Sequence, residues 1–183
     1  DDFCRLAKEN YDEAYRLFYS SNFKNLIRED KDRILYEGLR MQPQSALVVE
    51  TFLTASHHKK KVEVTFEETE KSFYGVQEQQ KEQLEIQKPQ WGAVRIHVSS
   101  DADFLIPGKQ IITENDFIGS TCFYEYYIDA DAMHAGKNFG RLCFELPDQS
   151  FLYTVTASCK EREEEREVSE HREAGQARTE LMQ

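Results

Sequence analysis

No two of the four cysteines, Cys4, Cys122, Cys143 and Cys159, stand as Cys-x-x-Cys or at zinc-finger spacing, which leaves no framework for a sulfur-ligated metal. No stretch approaches the ~18 consecutive apolar residues of a membrane helix, and no charged-then-apolar leader opens the chain, so membrane insertion is not expected. Cations are scarce: 23 Lys and Arg face 34 Asp and Glu, and the net charge of -11 opposes nucleic acid and anionic lipid. The one dense basic run, His57-His58-Lys59-Lys60-Lys61, reads as a solvated helix end whose cations suit the C-terminal dipole. A Gly-x-Ser-x-Gly elbow is missing, and no cysteine sits in a signature beside a matched histidine, so an activated nucleophile has no support.

Hydrophobic periodicity is present, and it changes once. In "NYDEAYRLFYS" Asn10 and Glu13 form a capping-box pair before Ala14, Leu17 and Phe18 recur at helical spacing. Further short amphipathic helices follow, with apolar stripes at Phe23, Leu26 and Ile27, at Ile34, Leu35 and Leu39, and, after the Gln42-Pro43 break, at Leu47, Val48, Phe52 and Leu53. From Lys61 the period is two. Val62, Val64 and Phe66, then Val94, Ile96 and Val98, then Tyr124, Tyr126 and Ile128, then Leu142, Phe144 and Leu146, and last Phe151, Tyr153 and Val155 alternate with polar residues. Adding "KSFYGV" and "KEQLEIQ" gives about seven or eight strands in roughly a hundred residues, the size of an immunoglobulin-like sandwich. Alternation places Cys122 and Cys143 on opposite kinds of face, which favours reduced thiols and a cytoplasmic setting over an inter-sheet disulfide.

The predicted fold class is therefore α+β, mainly β: a short-helix subdomain over residues 1–59, an immunoglobulin-like antiparallel β-sandwich over 60–158, and a charged helical linker or frayed tail over 159–183. The tail is too poor in apolar surface to join either core. The helices are individually too short to be stable in water, so their stripes must pack on one another or on the sandwich.

"DAMHAGKNFGRLCFE", residues 131–145, has the one Gly-Lys pair that invites a phosphate-loop reading. The loop requires a glycine five positions before Gly136 and a hydroxyl after Lys137, where this chain has Asp131 and Asn138. Gly136, Asn138 and Gly140 are accordingly predicted as turn residues at a strand entrance. Asp101 and Asp103, Glu114 and Asp116, and Asp129 and Asp131 offer hard oxygens, but they lack the calcium-loop pattern and read as turns. Trp91, beside Gly92, and Tyr127, on the polar-facing set of its strand, are the candidate platforms for a stacked ligand; for Trp91 the competing reading is a core residue at a strand start. No cofactor is expected.

"LAKENYDEAYRLFYSSNF", "WGAVRIHVSSDADFL", "ITENDFIGS" and "HAGKNFGRL", in that order, resemble the N-terminal region of a family of large uncharacterised multidomain proteins from anaerobic Gram-positive bacteria, over about residues 1–158. The resemblance implies sandwich modules joined by short helices, with long helical repeats beyond them, and carries no catalytic residue across. The start at "DDFCRLAKEN", without Met, fits a fragment of such a chain. Together these readings predict a non-catalytic structural or protein-interaction module whose partner is a protein, with a carbohydrate-binding sandwich as the alternative.

Overall fold

A computed structural model describes residues 2–159, in which five α-helices precede nine strands. The helices are α1 (Asp2–Glu9), α2 (Tyr11–Phe18), α3 (Phe23–Leu26), α4 (Asp30–Arg40) and α5 (Ala46–Ala55). Asn10 caps α2 as its spacing predicts, its side-chain oxygen accepting from the Glu13 N–H at 3.2 Å. Ser45 caps α5 the same way, accepting from the Leu47 N–H at 3.2 Å. No single helix here exceeds 11 residues, so packing must hold them. It does so largely through rings. Phe18, fully buried, lies 5.0 Å from the Tyr36 ring, 5.4 Å from Phe23 and 5.5 Å from Phe52, and Ala14, Val49 and Leu53 close the same cluster. The Tyr36 hydroxyl, which would otherwise be buried without a partner, donates to the Phe18 carbonyl at 2.8 Å.

The stripe expected on α4 is rotated. Ile34 is exposed, and the helix turns Asp32, Tyr36 and Leu39 inward, a set spaced i, i+4, i+7. An aromatic ring buries more surface than an isoleucine, and the ring cluster fixes the rotation. Residues 2–9 form one more helix, with Phe3, Leu6 and Ala7 at the helical i, i+3, i+4 spacing, a pattern that eight residues carry for only two turns.

The strands are β1 (Thr65–Phe66), β2 (Glu70–Phe73), β3 (Gln80–Gln87), β4 (Arg95–Ser100), β5 (Leu105–Pro107), β6 (Ile111–Thr113), β7 (Thr121–Ile128), β8 (Lys137–Glu145) and β9 (Ser150–Ser158). They form two sheets, ordered β1-β3-β7-β5 and β2-β9-β8-β4-β6. The first is the A-B-E-D order of an immunoglobulin-type sandwich, and β9-β8-β4 is its G-F-C order. One departure is that β5 precedes β6 in the chain, so the strand in the D place comes before the one flanking C. Another is the β2–β9 ladder, parallel in an otherwise antiparallel expectation. Alternation reports which residues face inward and is blind to strand direction.

By contacts the chain divides into two compact units. One contains the described residues up to Glu67 with Glu85–Ile96 and Ile111–Cys122; the other contains Glu68–Leu84, His97–Gln110 and the described remainder from Phe123. In the second unit the sheets meet face to face: Tyr126 of β7 lies 5.9 Å from Tyr153 of β9, ring to ring, and Tyr124 lies 5.4 Å from Phe144 of β8. Cys122 is buried and Cys143 turns outward, as the alternation requires; all four cysteines are thiols. The predicted linker, residues 160–183 of it, lies outside the described residues.

Candidate functional site

Helix α5 is buried on most of its circumference, and its sequence "ALVVETFLTA" has a single charged residue, Glu50. That carboxylate is 8% exposed, inside the first unit, and every one of its needs is met by protein. The Tyr11 hydroxyl lies 3.1 Å from Oε2 and 3.1 Å from the Ala46 carbonyl, two acceptors that share its one hydrogen. The Ala93 N–H donates to the same oxygen at 3.1 Å, and the Lys59 ammonium pairs with Oε1. Burial first, and then the negative charge of Glu50, push the Tyr11 hydroxyl well above the usual tyrosine range.

Lys59 was expected in water with the rest of the basic run. Its side chain is instead 4% exposed, with the ammonium 4.7 Å from the centre of the Trp91 ring. His57 takes a left-handed conformation, φ 61°, just beyond the end of α5, where the chain turns before Lys59. Lys60 and Lys61 remain exposed. Gly92, at φ +134°, is required here for a second reason: a Cβ would stand 2.5 Å from the Lys59 Nζ and 2.6 Å from both Glu50 oxygens.

A second buried lysine follows β3. Lys88 donates to the Gln90 carbonyl at 3.1 Å and the Gly92 carbonyl at 3.2 Å, and lies 5.5 Å from the Phe117 ring centre. Burial, and then the charge of Lys59, hold its pKa below the ordinary lysine value. Glu114, in a 3₁₀ turn, accepts from the Val94 N–H at 3.2 Å. Beside these groups is an open cleft of about 320 Å³, lined by Tyr11, Lys88, Gln90, Trp91, Glu114 and Ser120 among others. Trp91 is thus half-buried: it packs against the helical core and also lines the cleft.

The remaining predicted positions lie in the second unit. Tyr127 is half-buried on β7, opposite Ile106 of β5, and Trp91 belongs to the other unit. Gly136 occupies the turn before β8 at φ +89°. Asn138 and Gly140 are not turn residues but lie inside β8. Asn138 is buried: its side chain accepts from the His134 N–H at 3.0 Å and donates to the His134 carbonyl at 2.9 Å, fastening the turn to the strand. Gly140 faces Ala102, whose methyl would be 2.8 Å from an added Cβ, so packing explains it. The turn makes a definite demand. Gly136→Val is expected to cost about 1–3 kcal/mol, because a β-branched residue is strained at that φ, whereas Lys137→Ala, at an exposed position, should change stability by less than about 0.5 kcal/mol. Thermal melting of the two variants, with calorimetry showing no ATP or GTP binding by either or by the parent, checks the turn reading.

Four of the six carboxylates weighed as calcium ligands, Asp101, Glu114, Asp116 and Asp129, accept hydrogen bonds from the protein. Asp101 accepts from the Arg141 N–H at 2.6 Å and side chain at 2.8 Å, and these bonds hold its pKa below the usual carboxylate range. Asp116 accepts from the Thr113 N–H at 2.8 Å, and Asp129 from the Asp131 N–H at 3.0 Å. Among the described residues no group of three His, Cys, Asp or Glu is placed to hold a metal ion. Glu50, Lys59, Lys88 and Tyr11 were missed as a cluster; the lone carboxylate in the apolar run of α5 was the available signal.

The strand order defines the β part as an immunoglobulin-like sandwich, and the helices that precede it belong to the unit that holds the cleft. The chain belongs to DUF5717, a family of unknown function, whose N-terminal model matches residues 1–183. The match takes in the charged tail, which the sequence resemblance had left out. No curated protein matches the sequence. Among solved structures, the chain is similar to the ASH/PapD-like domain 7 of human CEP192, at 9% identity over 54% of this chain and 87% of that one, with a TM-score of 0.41. It is also similar to an extracellular fragment of EsaA from Streptococcus gallolyticus, at 10% identity over 87% and 44% of the two chains, with a TM-score of 0.35. Likeness at this level carries nothing about activity.

Proposed function

We propose that this domain is a non-catalytic protein-interaction module that docks another region of its own parent protein on the outer face of the five-stranded sheet. The observation behind this reading is the exposure of Phe139 (67%) and Leu152 (51%) on β8 and β9, the two longest strands. Large apolar side chains standing outward from the rigid centre of a sheet are the composition of an interface core. The outward residues of β9, Ser150, Leu152, Thr154 and Thr156, are all uncharged in a chain of net charge -11. On β8 Phe139 stands between two outward cations, Lys137 and Arg141, of which Arg141 is already paired with Asp101. Such a face suits a polypeptide surface rather than an ionic ligand. The parent chain is the partner chosen because the family model describes an N-terminal region, which leaves further regions of family members to be packed. A cytoplasmic setting, where the thiols stay reduced, completes the reading.

Calorimetric titration of the domain with the recombinant remainder of the parent chain tests it. Saturable binding is expected, weakened at least about thirtyfold by Phe139→Asp with Leu152→Asp. Binding that ignores both substitutions, or reproducible turnover of a small substrate by the purified domain, would sink the proposal.

A further inference from the structure

We infer that the cleft beside Trp91 binds a neutral sugar ring of the pyranose type. This inference is independent of the docking face, since every residue it uses belongs to the first unit. Three observations converge on it. First, the inner charged groups beside the cleft already have protein partners: Glu50 is met by Lys59, Tyr11 and the Ala93 N–H, Glu114 by the Val94 N–H, and Lys88 by two carbonyls. Of the charged residues that line the cleft only Lys8 is exposed, so a ligand meets one ammonium there and otherwise neutral donors and acceptors. Second, the cleft has an indole in its wall and directional polar groups beside it. Gln90 uses its amide oxygen for the Glu63 N–H at 3.1 Å, which leaves its two amide donors, and the exposed Ser120 and Lys8 lie at the lining with it. A pyranose has the matching asymmetry, with C–H groups on its faces for the aromatic ring and hydroxyls around its edge for the amide, hydroxyl and ammonium. Third, at about 320 Å³ the cleft is at the small end of ligand pockets, and it is open, so it suits one or two rings with some hydroxyls left in water.

Trp91 is the only tryptophan, so its emission reports on this cleft alone. The intact domain should be titrated with glucose, galactose, mannose and N-acetylglucosamine in the millimolar range, read by Trp91 fluorescence and by calorimetry. At least one sugar is expected to give a saturable emission change and a matching heat. Lys8→Ala with Ser120→Ala should weaken that response at least about tenfold without moving the melting temperature, because both residues are exposed. The Phe139→Asp, Leu152→Asp variant should bind the sugar normally, which separates this result from the fate of the docking face. No emission change and no heat with any of the four sugars, or a response unaltered in the Lys8, Ser120 variant, would overturn the inference. Native Trp91 emission that is blue-shifted and resists acrylamide quenching would overturn it as well.

Discussion

Glu50→Ala is expected to destabilise the protein by about 3–5 kcal/mol, because it leaves the Lys59 ammonium buried with its carboxylate gone. The Ala93 N–H loses its acceptor in the same step, while the Tyr11 hydroxyl keeps the Ala46 carbonyl, so the ammonium and the amide are stranded together. Removing the whole pair should be far milder. The double variant Glu50→Leu, Lys59→Met replaces both charges with apolar side chains of similar length and is expected to recover most of the loss. Denaturant melts of the two proteins give the comparison. A single variant as stable as the parent would show that Lys59 swings out to water and that the pair does not hold this region.

Phe18→Ala is the second large effect, about 3–5 kcal/mol and a fall of about 10 °C in the melting temperature. Phe18 touches rings from α3, α4 and α5 as well as Phe3 of α1, so the cavity opens within a ring cluster to which all five helices contribute. Collapse around it is hindered because Tyr36 is tied to the Phe18 carbonyl. Ile34→Ala on the exposed side of α4 should change stability by less than about 0.5 kcal/mol, a contrast that thermal melts resolve directly.

What the sequence made legible was what repeats. Alternation at Tyr124, Tyr126 and Ile128, and again at Leu142 and Phe144, correctly separated inner from outer residues, and the contrast between Cys122 and Cys143 followed from it. Capping chemistry at Asn10 was equally readable, since both partners lie within one turn. The candidate site was legible only through Trp91. Its other parts join residues distant in the chain, Tyr11 to Glu50 and Glu50 to Ala93, and periodicity says nothing about which distant groups meet. Lys59 was misplaced for a related reason. A run of two histidines and three lysines reads as solvent-facing on average, and one buried carboxylate nearby was enough to draw in a single member. Gly140 and Asn138 shared a turn-like composition with Gly136, but one is a site of close packing and the other a buried amide.

The lengths of the sheet borders have a consequence of their own. Among the described residues, the strands that end the two sheets run to two, three, four and three residues, for β1, β5, β2 and β6, whereas β8 and β9 in the interior of their sheet each run to nine. A border that short offers few unpaired N–H and C=O groups to template another chain. Many copies held side by side at high local concentration would therefore have little means of polymerising into extended β-structure, and the domain can be crowded without seeding fibrils.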